Sequence, residues 1–275
     1  MAFEHFGAGA LDYYPCRYGK SKLLFRGPRK KLNKPYCAVI GGSETYGKFV
    51  EEPYPALLER MAERSVVNLG YMNAGTDVFA NDPTVLEICA EAEVTVIQIM
   101  GAQNLTNRFY TVHSRRNDRF LKPSSLLNTI YREVDFTETH FTRHLLCALA
   151  EASAQKFEMV RDELKSAWVA RMRAILSHVR GRVILLWLAE HAPDDQPNGT
   201  LIGADPLFVD RDMIGQLAEF NVELVEVVAT PEEVAAGQLR MVFTQLEQPK
   251  AHEMLGPVVH EAAARALSEQ LAAMP

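Results

Sequence analysis

Apolar residues in this chain fall either into short unbroken runs or into longer stretches where they recur every third or fourth position. YCAVIGG at 36–42, VVNL at 66–69, VTVIQIM at 94–100, RVILLWL at 182–188 and VELVEVV at 222–228 form the first group. Valine- and isoleucine-rich runs of this length are expected of strands covered on both faces. The second kind predicts helices. One is PYPALLERMAER. Another is NDPTVLEICAEA, with Asp82 as N-cap and Pro83 at the first helical position. A long amphipathic stretch covers about 152–179 and is closed by Gly181; the last helix covers about 253–273. Strands alternating with helices predict a mostly parallel sheet with helices on both faces. No repeat or linker interrupts the pattern, so one domain spanning 1–275 is expected.

One segment departs from the alternation. Residues 105–145 follow the third strand in the 94–100 run without a quick return. Long insertions in compact domains are usually functional loops or lids. This one leaves the carboxyl end of a strand, where open α/β sheets bind ligands.

Composition adds few constraints. With 48% apolar and 23% charged residues in 275, the chain is an ordinary globular one with enough apolar mass for a large core. No run is long enough to span a bilayer, and no basic n-region precedes an apolar h-region, so neither a transmembrane segment nor a signal peptide is expected. Cys16, Cys37, Cys89 and Cys147 are far apart, with no CxxC, which points to reduced thiols in a cytoplasm and to no metal centre. His140 and His144 lie four apart but lack a third ligand. The net charge of −6 hides a basic N-terminal extension over 1–35 and a second basic cluster at Arg108, Arg115, Arg116 and Arg119. These read either as solvated surface or as a rim that steers an anionic substrate. An acidic chain is a poor nucleic-acid partner.

The chemistry centres on GGSETYGK, residues 41–48. Gly42 to Lys48 nearly spells a phosphate loop, yet Phe49 stands where the magnesium-binding Ser or Thr is needed. As a serine site the same loop places Ser43 at the end of a strand and the start of a helix, with its N–H aimed at the same spot. NLGYMNAGTDVF follows the second strand and GAQN follows the third.

In that order the motifs resemble the SGNH (GDSL-type) hydrolase superfamily: Ser43 in a G-G-S context, Gly75 or Gly70 after the second strand, and Gly101 with Asn104 after the third. QPKAHEMLGPVVHEAAARALSEQL is similar to its last block. The chain also resembles a group of uncharacterised α-proteobacterial proteins. The resemblance implies a flavodoxin-like three-layer α/β/α sandwich and a serine esterase or acyltransferase without a cofactor. Ser43 would be nucleophile and His252 base, with the oxyanion held by Ser43, Gly75 and Asn104. Arg108, Arg115, Arg116 and Arg119 would meet an O-acetylated carbohydrate or other anionic ester. Gly42 and Pro249 stand where the family has Asp, leaving a Ser-His dyad, with His260 as the alternative base; DRDM at 210–213 has the aspartate but no histidine. Two other readings stay open: a phosphate-loop transferase such as a sulfotransferase, and an SGNH-like binding domain without catalysis. A homo-oligomer is compatible with the sequence.

Overall fold

A computed structural model describes residues 11–195 and 202–273. The start of the basic N-terminal extension, residues 1–10, lies outside them. Among the described residues seven strands are formed: β1 Tyr36–Ile40, β2 Ser65–Asn68, β3 Val94–Gln98, β4 Tyr110–Val112, β5 Phe120–Pro123, β6 Arg182–Ala189 and β7 Glu223–Val228. Five of them make a parallel sheet in the order β2-β1-β3-β6-β7, and β4 and β5 make a separate antiparallel hairpin.

Why the runs become parallel strands shows in what each face buries. Ala38, Ile40, Val67, Ile97, Leu185 and Trp187 point to one side, where they meet the helices Pro83–Glu91 and Ala154–Leu176. Cys37, Val39, Val66, Val96, Ile184 and Leu186 point to the other, against the helices Tyr54–Ala62 and Pro257–Ala272. With alternate residues buried on opposite faces, an all-apolar run is the stable choice. The result is a mostly parallel α/β/α sandwich. Every predicted strand is present: β1 and β3 stop two residues short where their runs enter a loop, β2 is shifted by one residue, β7 starts one residue later, and β6 continues one residue further to Ala189. Asp82 caps as expected, accepting from the N–H groups of Thr84 and Val85. No helix of the described residues is long and apolar enough to cross a membrane.

The insertion is more ordered than its sequence suggests. It holds the β4–β5 hairpin, the helix Ser125–Ile130 and the start of the helix Thr142–Ala152. Short amphipathic pieces of three to six residues carry too little periodicity to be read without their packing partners.

The basic stretch before β1 is a clasp rather than a free arm. Tyr18, Leu23 and Phe25 are buried in the core. Arg26 Nη1 donates to the carbonyls of Gly47 (2.6 Å) and Val50 (2.8 Å), and Nη2 to that of Glu51 (2.6 Å). Gly47 itself sits at φ +77°, the left-handed conformation that ends the helix Ser43–Tyr46. Arg26 thus holds the loop that follows the candidate serine helix. Replacing it with Ala should cost about 2 kcal/mol in urea denaturation, since several buried carbonyls lose a charged donor. Arg26→Lys should recover only part, because one ammonium cannot span the same fork.

Candidate functional site

Parallel strands deliver their following loops to one edge, and three of those loops meet here. After β1, Gly41 and Gly42 lead into the helix Ser43–Tyr46. Gln98, the last residue of β3, anchors this turn. Its Oε1 accepts from the N–H of Gly42 (3.0 Å), the N–H of Thr45 (3.2 Å) and the hydroxyl of Thr45 (2.6 Å). Thr45 in turn accepts from the Tyr54 hydroxyl at 2.7 Å. Ser43 is half-buried, and its N–H, in the first helical turn, has no acceptor among the described residues.

The loop after β2 is tied to this turn by Tyr71 N–H to Gly41 O (3.0 Å) and by Asn68 Nδ2 to Thr45 O (2.8 Å). It brings Asn73 to the serine: the Asn73 N–H donates to Ser43 Oγ at 3.0 Å. Asn73 has φ +56°, which asparagine tolerates better than most residues. The Gly75 N–H is spent elsewhere, on Asn117 Oδ1 at 3.1 Å, an oxygen that also accepts from Val78 N–H. The backbone N–H that meets the serine therefore belongs to Asn73, two residues before Gly75. Gly75 has a different role, since a Cβ there would lie 1.8 Å from Asn104 O. Its missing side chain lets the second and third loops touch.

Asn104 follows β3, as the motif order implies. Its Oδ1 accepts from the Thr142 hydroxyl at 2.6 Å, and its Nδ2 has no partner among the described residues. Thr142 also donates its N–H to Asp118 O (2.9 Å). The insertion thus grips the loops after β2 and β3, through Asn117 at Gly75 and through Thr142 at Asn104. Neither residue was legible in the sequence, because each acts across many intervening positions.

His252 ends the short helix Gln248–Ala251 and is exposed. Its ring stands edge-on to Phe243, centroids 6.3 Å apart, and makes no hydrogen bond to Ser43. The segment that follows it is fastened to the serine helix, because Leu255 N–H reaches Glu44 Oε1 at 3.4 Å. Burial pushes the Glu44 carboxyl up to about 8, with Asp205 and Glu190 adding to the rise and the Leu255 N–H and Lys250 opposing it. His260 is fully buried within the last helix, and its Nδ1 accepts from Tyr54 N–H at 3.0 Å. Burial lowers its pKa to about 3, so it is a neutral packing residue. The alternative base is thereby removed from the edge where Ser43 lies.

The arginines divide. Arg108 Nε pairs with Glu163 at 2.6 Å, Arg116 lies 3.5 Å from Asp118, and Arg119 stacks on Phe141 at 5.5 Å. Arg115 is exposed without an ionic partner among the described residues. Lys48, the phosphate-loop lysine, is bound to Glu247 at 2.7 Å, and the N–H groups of Gly42 and Thr45 are taken by Gln98. A phosphate would find that cradle already filled. Asp210 caps the helix Arg211–Gly215 and pairs with Lys165 at 2.5 Å. His140 precedes the helix Thr142–Ala152 that carries His144, so the two do not share a helix face.

The chain matches over residues 1–275 the family described as Domain of unknown function (DUF6473), and it belongs to that family. No curated protein matches it. Among solved structures it is similar to the lipase Lip_vut3 from a goat rumen metagenome, at 13% identity and TM-score 0.41, covering 86% of this chain and 97% of that one. It is similar also to a gut microbial diltiazem-metabolizing enzyme (12%, TM-score 0.39, 86% of this chain and 46% of that one). A third is the salicylyl-acyltransferase SsfX3 from a tetracycline biosynthetic pathway (11%, TM-score 0.37, 89% and 57%). The chain spans about half the length of the latter two.

Two expectations follow from the buried groups. Gln98→Leu leaves three donors at Gly42 and Thr45 without their acceptor, and should lower stability by about 2–3 kcal/mol in urea denaturation. His260 and Glu44 oppose each other in acid. Below pH 6.5 the unfolded His260 gains a proton that the folded one refuses, which destabilises the fold as pH falls. Between about 8 and 4.5 the folded Glu44 keeps a proton that the unfolded one has lost, which stabilises the fold as pH falls. From pH 6.5 to 4.5 the two offset. His260→Asn, which keeps an acceptor for Tyr54, should therefore gain up to about 1.4 kcal/mol relative to wild type per unit of acidification in that window, read by urea titrations at successive pH.

Proposed function

We propose that the protein is a serine esterase or acyltransferase with Ser43 as nucleophile. The observation that supports this reading is Ser43 Oγ, just past the carboxyl end of β1, receiving the Asn73 N–H at 3.0 Å, while the Ser43 N–H and the Asn104 amide nitrogen have no partner among the described residues. The reading takes the Ser43 N–H and the Asn104 Nδ2 as donors to the oxyanion, with the Asn73 N–H turning to it from Ser43 Oγ as the acyl bond forms. Thr142 turns the Asn104 amide so that its nitrogen is the free end.

In the reaction, Ser43 Oγ bonds to the carbonyl carbon while its proton passes to the His252 imidazole. The tetrahedral oxyanion collapses, the ester C–O bond breaks, and the leaving alkoxide takes that proton. Water or an acceptor alcohol then releases the acyl group by the reverse path. His252 is taken as the base from its place in the order of motifs; what supports it is the tie of Leu255, three residues on, to the serine helix, and the ring must swing from Phe243 to reach Ser43. With Arg108 and Arg116 neutralised by carboxylates, any anionic group on the substrate falls to Arg115 and Arg119 at the rim.

A second reading, a binding domain without catalysis, is favoured by one observation. Among the described residues no carboxylate bonds the His252 ring, and neighbouring Glu253 is paired with Lys250 at 2.9 Å. Fluorophosphonate labelling and p-nitrophenyl acetate turnover separate the two. Ser43→Ala should abolish both, Asn104→Ala should lower kcat by about 10²–10³-fold, and His252→Ala should reduce both strongly. A wild type that neither labels nor turns over leaves the binding domain. A His252→Ala variant with unchanged rates removes His252 as base.

A further inference from the structure

The chain is acidic as a whole, yet residues 11–35 hold eight of its 29 Lys and Arg and, of its 35 Asp and Glu, only Asp12. Two of the eight are used inside the molecule. Arg26 serves the carbonyls of the loop after the serine helix, and Lys30 pairs with Glu59 at 2.5 Å. Arg17, Lys20, Lys22, Arg29, Lys31 and Lys34 are exposed and have no ionic partner among the described residues. The arginines of the insertion, by contrast, are mostly taken up locally.

The local fold sorts these side chains by face. Cys16 and Phe25 are antiparallel neighbours that exchange both backbone hydrogen bonds at 2.9 Å. That register sets Arg17 opposite Leu24 and Tyr18 opposite Leu23. Tyr18, Ser21, Leu23 and Phe25 are buried, whereas Arg17, Lys20, Lys22 and Leu24 are exposed. The hairpin therefore has a mostly apolar underside set on the core and a cationic outer side. Its outer side also carries apolar groups: Leu24 is 46% exposed and Tyr14, just before the hairpin, 63%. Arg29 lies beside it, over the Tyr18 ring at 5.7 Å from the centroid. Ser21 Oγ fixes the hairpin to the body by donating to Asp82 Oδ2 at 2.6 Å, and Arg26 grips the loop 47–51. Asp82 and that loop each precede a helix that starts at the carboxyl edge of the sheet, so the hairpin is anchored on the edge where Ser43 stands.

We propose that this cationic hairpin is a docking surface for an anionic lipid bilayer. Charge complementarity supplies the attraction, about fivefold in affinity for each Lys or Arg brought close to an anionic membrane surface. Leu24 and Tyr14 select the bilayer among anions. An aliphatic chain and a phenol ring gain by entering the boundary between head groups and acyl chains. On the outside of a nucleic-acid duplex the leucine would meet only hydrated phosphate. A planar partner also touches a single face and leaves the acidic remainder of the chain in water. The docking does not require Ser43 to be a nucleophile.

Co-sedimentation of the full chain with vesicles tests this. Wild type should bind vesicles of equimolar phosphatidylcholine and phosphatidylglycerol and not vesicles of phosphatidylcholine alone. Binding should weaken severalfold as salt rises from about 50 to about 200 mM, because screening shortens the reach of surface charge. The triple variant Arg17→Gln, Lys20→Gln, Lys22→Gln should lose about 10²-fold in partitioning. Leu24→Ser should weaken it severalfold at unchanged charge. Urea midpoints of both variants should match wild type, since these side chains are exposed; the salt series on wild type decides the matter without any variant. Absent binding, equal binding to both vesicles, or a triple variant that binds like wild type overturns the proposal. So does a Leu24→Ser variant with unchanged binding, or tighter binding to a duplex oligonucleotide than to the anionic vesicles. No arm reads turnover, so the ester reading stands or falls separately.

Discussion

A single side-chain oxygen, Gln98 Oε1, holds the candidate serine turn to the sheet. Gln98 is the last residue of the central strand β3 and is almost fully buried. It gathers two backbone N–H groups and one hydroxyl from the turn after the neighbouring strand β1. Those donors would otherwise be buried and unsatisfied, a cost of about 1–3 kcal/mol each. The same bonds deny the turn to a phosphate, whose recognition needs free N–H groups at that place. A glutamine in another strand thus weighs against the phosphate-loop reading of the glycines and lysine.

A second constraint is the close approach of the β2 and β3 loops. Gly75 lets the backbone of Asn104 pass where any side chain would collide. The insertion then fastens both loops, Asn117 from one side and Thr142 from the other. A long insertion whose sequence reads as a lid is in this part a brace. Its arginines follow the same logic: two are consumed by local carboxylates and one by an aromatic face, so a basic run in the sequence leaves little free positive charge in space.

The buried ionisable groups around the serine turn form a balanced pair. His260 stays neutral beneath the Tyr54 N–H, and Glu44 keeps its proton beside Leu255. Both are uncharged near neutral pH for the same reason, removal from water. Glu44 is on the serine helix itself, and His260 is on the last helix, which packs against the helix Tyr54–Ala62. The carboxylates of Asp205 and Glu190 remain close enough to raise Glu44 further.

The sequence by itself determined the five-strand parallel architecture, because all-apolar runs of β-branched residues are stable only when both faces are covered. It also determined that Ser43 stands at a strand end before a helix, since glycines, a serine and a helical pattern follow one another locally. Asp82 and Pro83 were legible for the same reason: a helix cap is a matter of four adjacent residues. Only the tertiary structure decided that Asn73 rather than Gly75 offers its N–H to Ser43, because which N–H is free depends on Asn117, more than forty positions away. It alone decided that His260 is a core residue, that Lys48 belongs to Glu247, and that Glu44 meets Leu255 across 211 positions. Hydrogen-bond partners at such separations leave no periodicity in the chain; they exist only once the sheet has brought its strand ends to one edge.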